Sequence, residues 1–254
     1  MSNKVTNAKN VQINKVSGPH PAGNVGVQIH HLDPINSGEF VWYVNPQDVL
    51  TIGRLFLNGT YDASKIVAFT GPKAKSPKYF KTISGASIKS IVDGAVSSDN
   101  ARYISGNGLT GDNVGIEGHL SFYAHQITIV EEGNHHKFFL GDGWLGAGLN
   151  KHSMSRTYFS WLMGNKKYDL DTNQNGEDRS FVLTGQYEKV FPFDIYPVYL
   201  VKAIITKDIE AMEQLGIYEV APEDFALCEY VCTSKINVQD IVREGLDIVH
   251  EECM

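Results

Sequence analysis

The side chains best able to do chemistry in this chain are thiols, imidazoles, carboxylates and glycine-rich turns. Cys228-Glu-Tyr-Val-Cys232 sets two thiols four residues apart, on one face of a helix. A bacterial ferredoxin run, C-x2-C-x2-C-x3-C-P, laid over this pair puts its other two ligands at Pro222 and Phe225, and Thr233 stands where the run has Pro. A four-iron cluster needs four thiolates, so the pair reads as packed interior thiols. Two stretches fit G-x-G-x-x-G: Gly106 to Gly111 and Gly141 to Gly146. Dinucleotide binding needs a helix directly after the turn, whose N-terminal amides hold the pyrophosphate, and neither stretch is followed by a helical pattern. Asp171-Thr-Asn173-Gln-Asn175-Gly176 copies the first half of a calcium loop, but its twelfth position is Val182 rather than a bidentate Glu. The tip of a hairpin is the expectation there.

Histidine occurs nine times. The adjacent pairs His30-His31 and His135-His136 would turn their rings to opposite faces of a strand. His20 and His30 lie in a Gly- and Pro-punctuated stretch, residues 17–35, and are expected to hydrogen-bond rather than ligate a metal. The sequence holds neither G-x-S-x-G nor a Walker loop, and the carboxylates Glu131 and Glu132 fall on a turn. No catalytic residue and no metal site is therefore assigned, and motifs alone name no reaction.

These groups must be positioned by elements that the pattern outlines. Val11 to Val16 suggests a strand, and residues 17–35 a loop. PQDVLTIGRLFLNG from Pro46 reads as a helix, with Pro in the first turn, Asp48 at the positive end and Gly59 after the last turn. Val49, Ile52, Leu55 and Phe56 form its apolar stripe. Residues 65–69 and 79–83 read as strands, Ser87 caps a short helix over residues 88–92, and residues 102–104 make a third strand. LSFYAHQITIV then predicts a strand returning through HHKFFL as a hairpin. A second hairpin is expected about Asn175-Gly176, between residues 167–170 and 179–183. Beyond Pro192 the chain turns helical. Asp194 caps a helix to Thr206, a second runs to Leu215 and stops at Gly216, and a third opens at Pro222. Asn237 caps the last, which aligns Val238, Ile241, Val242, Leu246 and Val249.

The composition bounds the function class. The chain has 254 residues, 42% of them hydrophobic, and a net charge of −7. That balance excludes wholesale disorder and argues against nucleic acid as a partner. Three cysteines cannot build a disulfide framework. The longest apolar stretch, residues 191–205, is interrupted by Asp194 and Lys202 and falls short of the ~20 residues of a membrane span. The first ten residues carry no apolar signal-peptide core.

Longer blocks carry a resemblance. SGPHPAGNVGVQIHHLDPI (17–35), AGLNKHSMSRTY (147–158), NGEDR (175–179), GQYEKVFPFDIYP (185–197) and PEDFALCEYVCTSK (222–235) occur in the order found in the A-subunit family of sodium-translocating NADH:quinone oxidoreductases. The resemblance implies a peripheral subunit on the cytoplasmic face of the bacterial inner membrane. Its partners would be the other subunits of a respiratory complex coupling NADH oxidation and quinone reduction to sodium export. It would be held at the membrane only through those partners, acting in assembly and in quinone binding. The family's relatives bind flavin, NADH or iron–sulfur clusters, but their glycine-rich loop is not visible here and their cysteine run is eroded, so no cofactor is expected on this chain.

The expected fold is mixed, α+β with α/β. An incomplete Rossmann-like domain (1–65, continued as a β-rich part over 116–185) is interrupted by a small β-grasp, soluble-ligand-binding module (66–115). A helical subdomain (186–254) follows. Because family members carry a lipoyl-like domain and more Rossmann-like chain ahead of PHPAG, the sequence reads as a C-terminal fragment. For a quinone contact the PHPAG–IHHLDP stretch is expected to offer His20, Gly23 and His30, its glycines allowing close backbone approach. Two other classes stay open. One is a non-catalytic interaction or soluble-ligand-binding module without a redox role, which exposed apolar surface would favour. The other is an unrelated nucleotide-binding enzyme, which a helix directly after Gly111 or Gly146 would favour.

Overall fold

The computed structural model describes residues 10–134, 145–152, 156–182 and 185–253. The chain divides into two compact units, each with its own apolar core.

The sheet unit spans Val44–Ser180 with Thr233–Lys235. Its strands are β1 (Ser64–Thr70), β2 (Lys78–Ile83), β3 (Ala101–Ser105), β4 (Asp112–Asn113) and β5 (Gln126–Glu131), in the spatial order β2-β1-β5-β3-β4. β1 and β2 form an antiparallel hairpin, β1 runs parallel to β5, and β3 is antiparallel to both β5 and β4. The expected module of residues 66–115 thus holds most of this sheet, while its middle strand comes from residues 126–131. Alternation decides which side chains enter the core: Lys65, Val67 and Phe69 of β1 are buried, and Ile66 between them is exposed. Helix α3 (Ile88–Val92) seals one face with Ile88, Ile91 and Val92. Ser87 precedes α3 as expected, but its side chain makes no capping bond. The helix α2 (Pro46–Asn58) starts and stops where its signals say, with Pro46 in the first turn and Gly59 at φ +70° as its left-handed cap. None of its residues is buried, however, and Val49, Ile52, Leu55 and Phe56 are all exposed.

The helical unit collects the residues up to Tyr43, Phe181–Cys232 and the chain from Ile236. Its helices are α1 (Val25–Leu32), α4 (Pro197–Thr206), α5 (Ile209–Gln214), α6 (Ala226–Val231) and α7 (Val238–Cys253), with 3-10 turns at Tyr187–Lys189, Ile217–Glu219 and Pro222–Phe225. The core is built from Leu200, Val201 and Ile204 of α4, Met212 of α5, Phe225, and Val238, Val242 and Val249 of α7, with Val27 inserted from α1. Ile241 and Leu246 flank it partly buried, so the apolar face expected of α7 is the one that packs.

Several expectations are corrected. Residues 11–16 form no strand; they are exposed and make no ladder. The loop expected over 17–35 contains α1, in which Val27 enters the apolar core and His30, one turn on, packs its ring on Phe193. No ladder forms on either side of Asn175-Gly176 among the described residues. Asn175 does adopt the left-handed conformation (φ 51°), yet the flanking chain contributes only one parallel bridge, Asp171 with Glu131. The return arm HHKFFL, with His135 and His136, lies outside the described residues. α4 starts at Pro197 with Tyr196 at its cap, not at Asp194.

Candidate functional site

In the helical unit, the PHPAG stretch makes a turn closed by Ala22 N–H to Pro19 O (2.9 Å) and Asn24 N–H to Pro21 O (2.8 Å), with a cis His20–Pro21 bond. His20 and Gly23 are exposed. A Cβ added at Gly23 would meet nothing within 4 Å, so internal packing does not require glycine there.

His30 behaves differently. The Asp194 N–H donates to its Nε2 (3.1 Å), which leaves the ring proton on Nδ1, and Nδ1 donates to Glu219 Oε2 at 2.7 Å. Its ring packs on Phe193, centroids 4.7 Å apart. His31 Nε2 donates to Pro192 O (3.0 Å). The two histidines therefore pin the last turn of α1 to residues 192–194 and Glu219. The spacing that would separate their rings on a strand sets them 5.2 Å apart on the helix.

The first turn of α1 is fixed by shape. A Cβ at Gly26 would come within 2.5 Å of Asp224 Oδ2, so only glycine lets the helix approach this carboxyl. Asp224 is buried; its Oδ2 accepts the Ala221 N–H (2.9 Å), and Oδ1 has no partner. Burial raises this carboxyl to about 6, helped by the nearby Glu223 charge and opposed by the Ala221 hydrogen bond.

Cys228, on α6, and Cys232, just beyond it, are both buried. Burial pushes the Cys228 thiol up, and the charges of Glu188 and Cys232 add to that. The thiolate is the form that ligates metal, so this environment disfavours a ligand role. Tyr187 lies close to Cys232, and burial drives its hydroxyl upward as well. Among the described residues, no three His, Cys, Asp or Glu side chains are grouped to hold a metal ion. Gly106 to Gly111 joins β3 to β4 as a turn. Asn107 Oδ1 accepts the N–H groups of Leu109 (2.7 Å) and Thr110 (2.9 Å), and no helix follows. No helix follows Gly146 either.

In the sheet unit the sequence reading missed a polar cluster. Lys65 sits on the buried face of β1 and its Nζ donates to the Phe122 carbonyl. Burial lowers its pKa, against the pull of Asp48. Gln47 of α2 accepts the Ile66 N–H (2.8 Å) and donates to Ile66 O (2.9 Å) and to His125 Nδ1 (3.1 Å). His125 thus carries its proton on Nε2, which is buried without a partner. Burial and the Lys65 charge both lower its pKa. A signal was present: Lys65 is in phase with Val67 and Phe69, so a lysine on the core face of that strand was legible from alternation.

Residues 1–61 match the family model described as the NqrA second alpha/beta domain, and residues 66–115 match the NQRA C-terminal domain. The A-subunit of the Na(+)-translocating NADH-quinone reductase of Hahella chejuensis is 40% identical over 238 residues, covering 92% of this chain and 52% of that protein. The namesake proteins of Rhodopirellula baltica and Pasteurella multocida are 38% and 37% identical, over 95% and 96% of this chain and 53% and 54% of theirs. The chain spans about half the length of these curated relatives. Over nearly all of its length, then, this chain is similar to part of the A-subunit of the Na(+)-translocating NADH-quinone reductase.

Proposed function

We propose that the chain serves as the A-subunit component of a Na(+)-translocating NADH-quinone reductase. It would lie peripherally on the cytoplasmic face of the inner membrane and act through the other subunits. The observation that carries this is kinship running through both units, at 40% identity to the A-subunit of such a reductase. No helix among the described residues is long and apolar enough to cross a membrane, which agrees with a peripheral place. The sheet is read as a β-grasp module, supported by the order β2-β1-β5-β3-β4, the central parallel β1–β5 pair and α3 packed on one face. Residues 1–65 are read as the first part of an interrupted Rossmann-like domain. Ahead of β1 their described portion contributes α1 and α2 and no strand.

For the quinone, His20 and Gly23 form the contact and His30 positions it. The His20 ring is exposed and Gly23 leaves open backbone beside it, whereas both nitrogens of His30 are engaged within the chain. The chain itself carries no flavin, NADH or cluster, and electrons pass through its partners.

The test is titration of a quinone analogue against the assembled complex bearing this chain, with His20→Ala, His30→Ala and the double variant. Weakened binding with His20→Ala supports the contact. Unchanged binding in the double variant removes it. Flavin or cluster absorption from the purified chain would overturn the cofactor-free reading. One observation favours the interaction-module reading: Phe40, Trp42 and Tyr43 are exposed, and so is every apolar residue in the stripe of α2. Surface of that kind marks sites for protein partners.

A further inference from the structure

We propose that residues 156–168 form a membrane-surface contact, an apolar tip with a basic collar that dips into the headgroup layer of an anionic bilayer. The segment holds Arg156, Lys166 and Lys167 and no Asp or Glu, on a chain whose net charge is −7. That total divides into +3 here and −10 elsewhere. An anionic surface therefore repels the chain as a whole and attracts this segment, which sets an orientation as well as an affinity.

The local structure presents the right groups outward. A 3-10 turn, Phe159–Leu162, is anchored from inside by the buried Ser160, whose carbonyl accepts the Tyr168 hydroxyl at 3.3 Å. With Ser160 turned in, Phe159, Trp161, Leu162 and Met163 are turned out, between 48% and 64% exposed. The Arg156 guanidinium lies over the Trp161 ring, 5.9 Å from its centroid. Lys166 is steadied by Asn150 Oδ1 (2.7 Å) and the Leu149 carbonyl. Trp beside Arg and Lys is the composition of side chains that settle at the membrane–water boundary, the ring in the acyl border and the cation among phosphates.

A protein partner fits less well. Four apolar side chains on one tight turn give a small protrusion, whereas a stable protein interface buries about 800 Å² on each side. This contact adds to attachment through partner subunits and stands whether or not the subunit reading holds, because it requires only this chain and lipid.

The test is co-flotation of the full chain with vesicles of phosphatidylcholine alone and with about one third phosphatidylglycerol. The proposal expects capture by the anionic vesicles only, reversed at high salt. An Arg156→Glu, Lys167→Glu variant should bind at least about ten-fold more weakly, since each cation near such a surface contributes about a factor of five. Trp161→Ser, Leu162→Ser should lose binding with an unchanged circular dichroism spectrum. Equal capture by neutral and anionic vesicles overturns the proposal, as does full binding by the charge variant. Absence of capture by any vesicle also overturns it, and protection of the segment from proteolysis by purified partner subunits would then assign the turn to a protein.

Discussion

Helices α1 and α2 differ in how they are held. α2 has thirteen residues, a proline start, a left-handed glycine stop and an apolar stripe, yet buries nothing within the chain. α1 has eight residues, no side-chain cap and two consecutive histidines near its end, yet it is fixed at both ends: Gly26 lies on Asp224, Val27 enters the core, and His30 bridges Glu219 and Asp194. Signals that make a helix legible report local backbone preference. Whether the helix is covered depends on what lies opposite, and no local signal carries that.

Substitutions in the two surroundings should separate accordingly. The largest effect is expected at Phe225, fully buried and packed on Phe191 with ring centroids 4.7 Å apart. Phe225→Ala should cost about 3–5 kcal/mol by urea denaturation; a loss near that of a surface residue would mean the helical core is not organised as described.

Asp224 comes next, through pH. Its carboxyl is raised from 3.8 to about 6, so between those values the folded state holds a proton that the unfolded state has released. Stability is then greatest below that window and falls as pH rises through about 6. Asp224→Asn keeps an oxygen for the Ala221 N–H and removes the charge. It should flatten the slope and raise stability at pH 8 by roughly 1–3 kcal/mol. Melts at pH 5 and pH 8 decide it, and parallel curves for the two proteins would place Asp224 in a wetter setting.

His30→Ala strands the Glu219 carboxylate and the Asp194 N–H and should cost about 1–3 kcal/mol. Hydrogen exchange should quicken in α1 and stay unchanged in β5; slowed or uniform exchange would contradict the pinning. The smallest effect is expected at Phe56, 85% exposed on α2, where Ala should change stability by no more than about 0.5 kcal/mol in the isolated chain. A much larger loss would show that α2 is covered in solution and would erase the contrast with α1.

The legible part of the fold follows from local rules. Alternation places residues 65–69 as a strand, proline and glycine bound α2, and the 3.6-residue spacing of Val238, Val242 and Val249 picks the buried face of α7. The errors share a cause. Asn175 takes the left-handed conformation its residue type tolerates, with a bend at Gly176, but a hairpin forms only if its arms find each other, and among the described residues these do not. The loop reading of residues 17–35 fails because nothing local announces an uncapped helix whose contacts lie 160 to 190 residues away. For the site, the resemblance leads to His20, Gly23 and His30, while the spacing cannot separate the exposed pair from the pinned ring. Lys65 is readable by phase; the nearby His125 is not, since the Gln47 side chain that bonds it lies 78 residues away.

By itself, then, the sequence determined the class of chain, its resemblance to the A-subunit family and the position of elements whose signals lie within a few residues of each other. Tertiary structure alone decided the strand order, which brings residues 126–131 between strands 64–70 and 101–105. It also decided the protonated nitrogen of His30 and the burial that raises Asp224. The physical reason is one of range. Backbone propensity and capping act over a single turn, whereas desolvation, hydrogen-bond partners and strand neighbours are set by residues distant in sequence that meet only when the chain is folded.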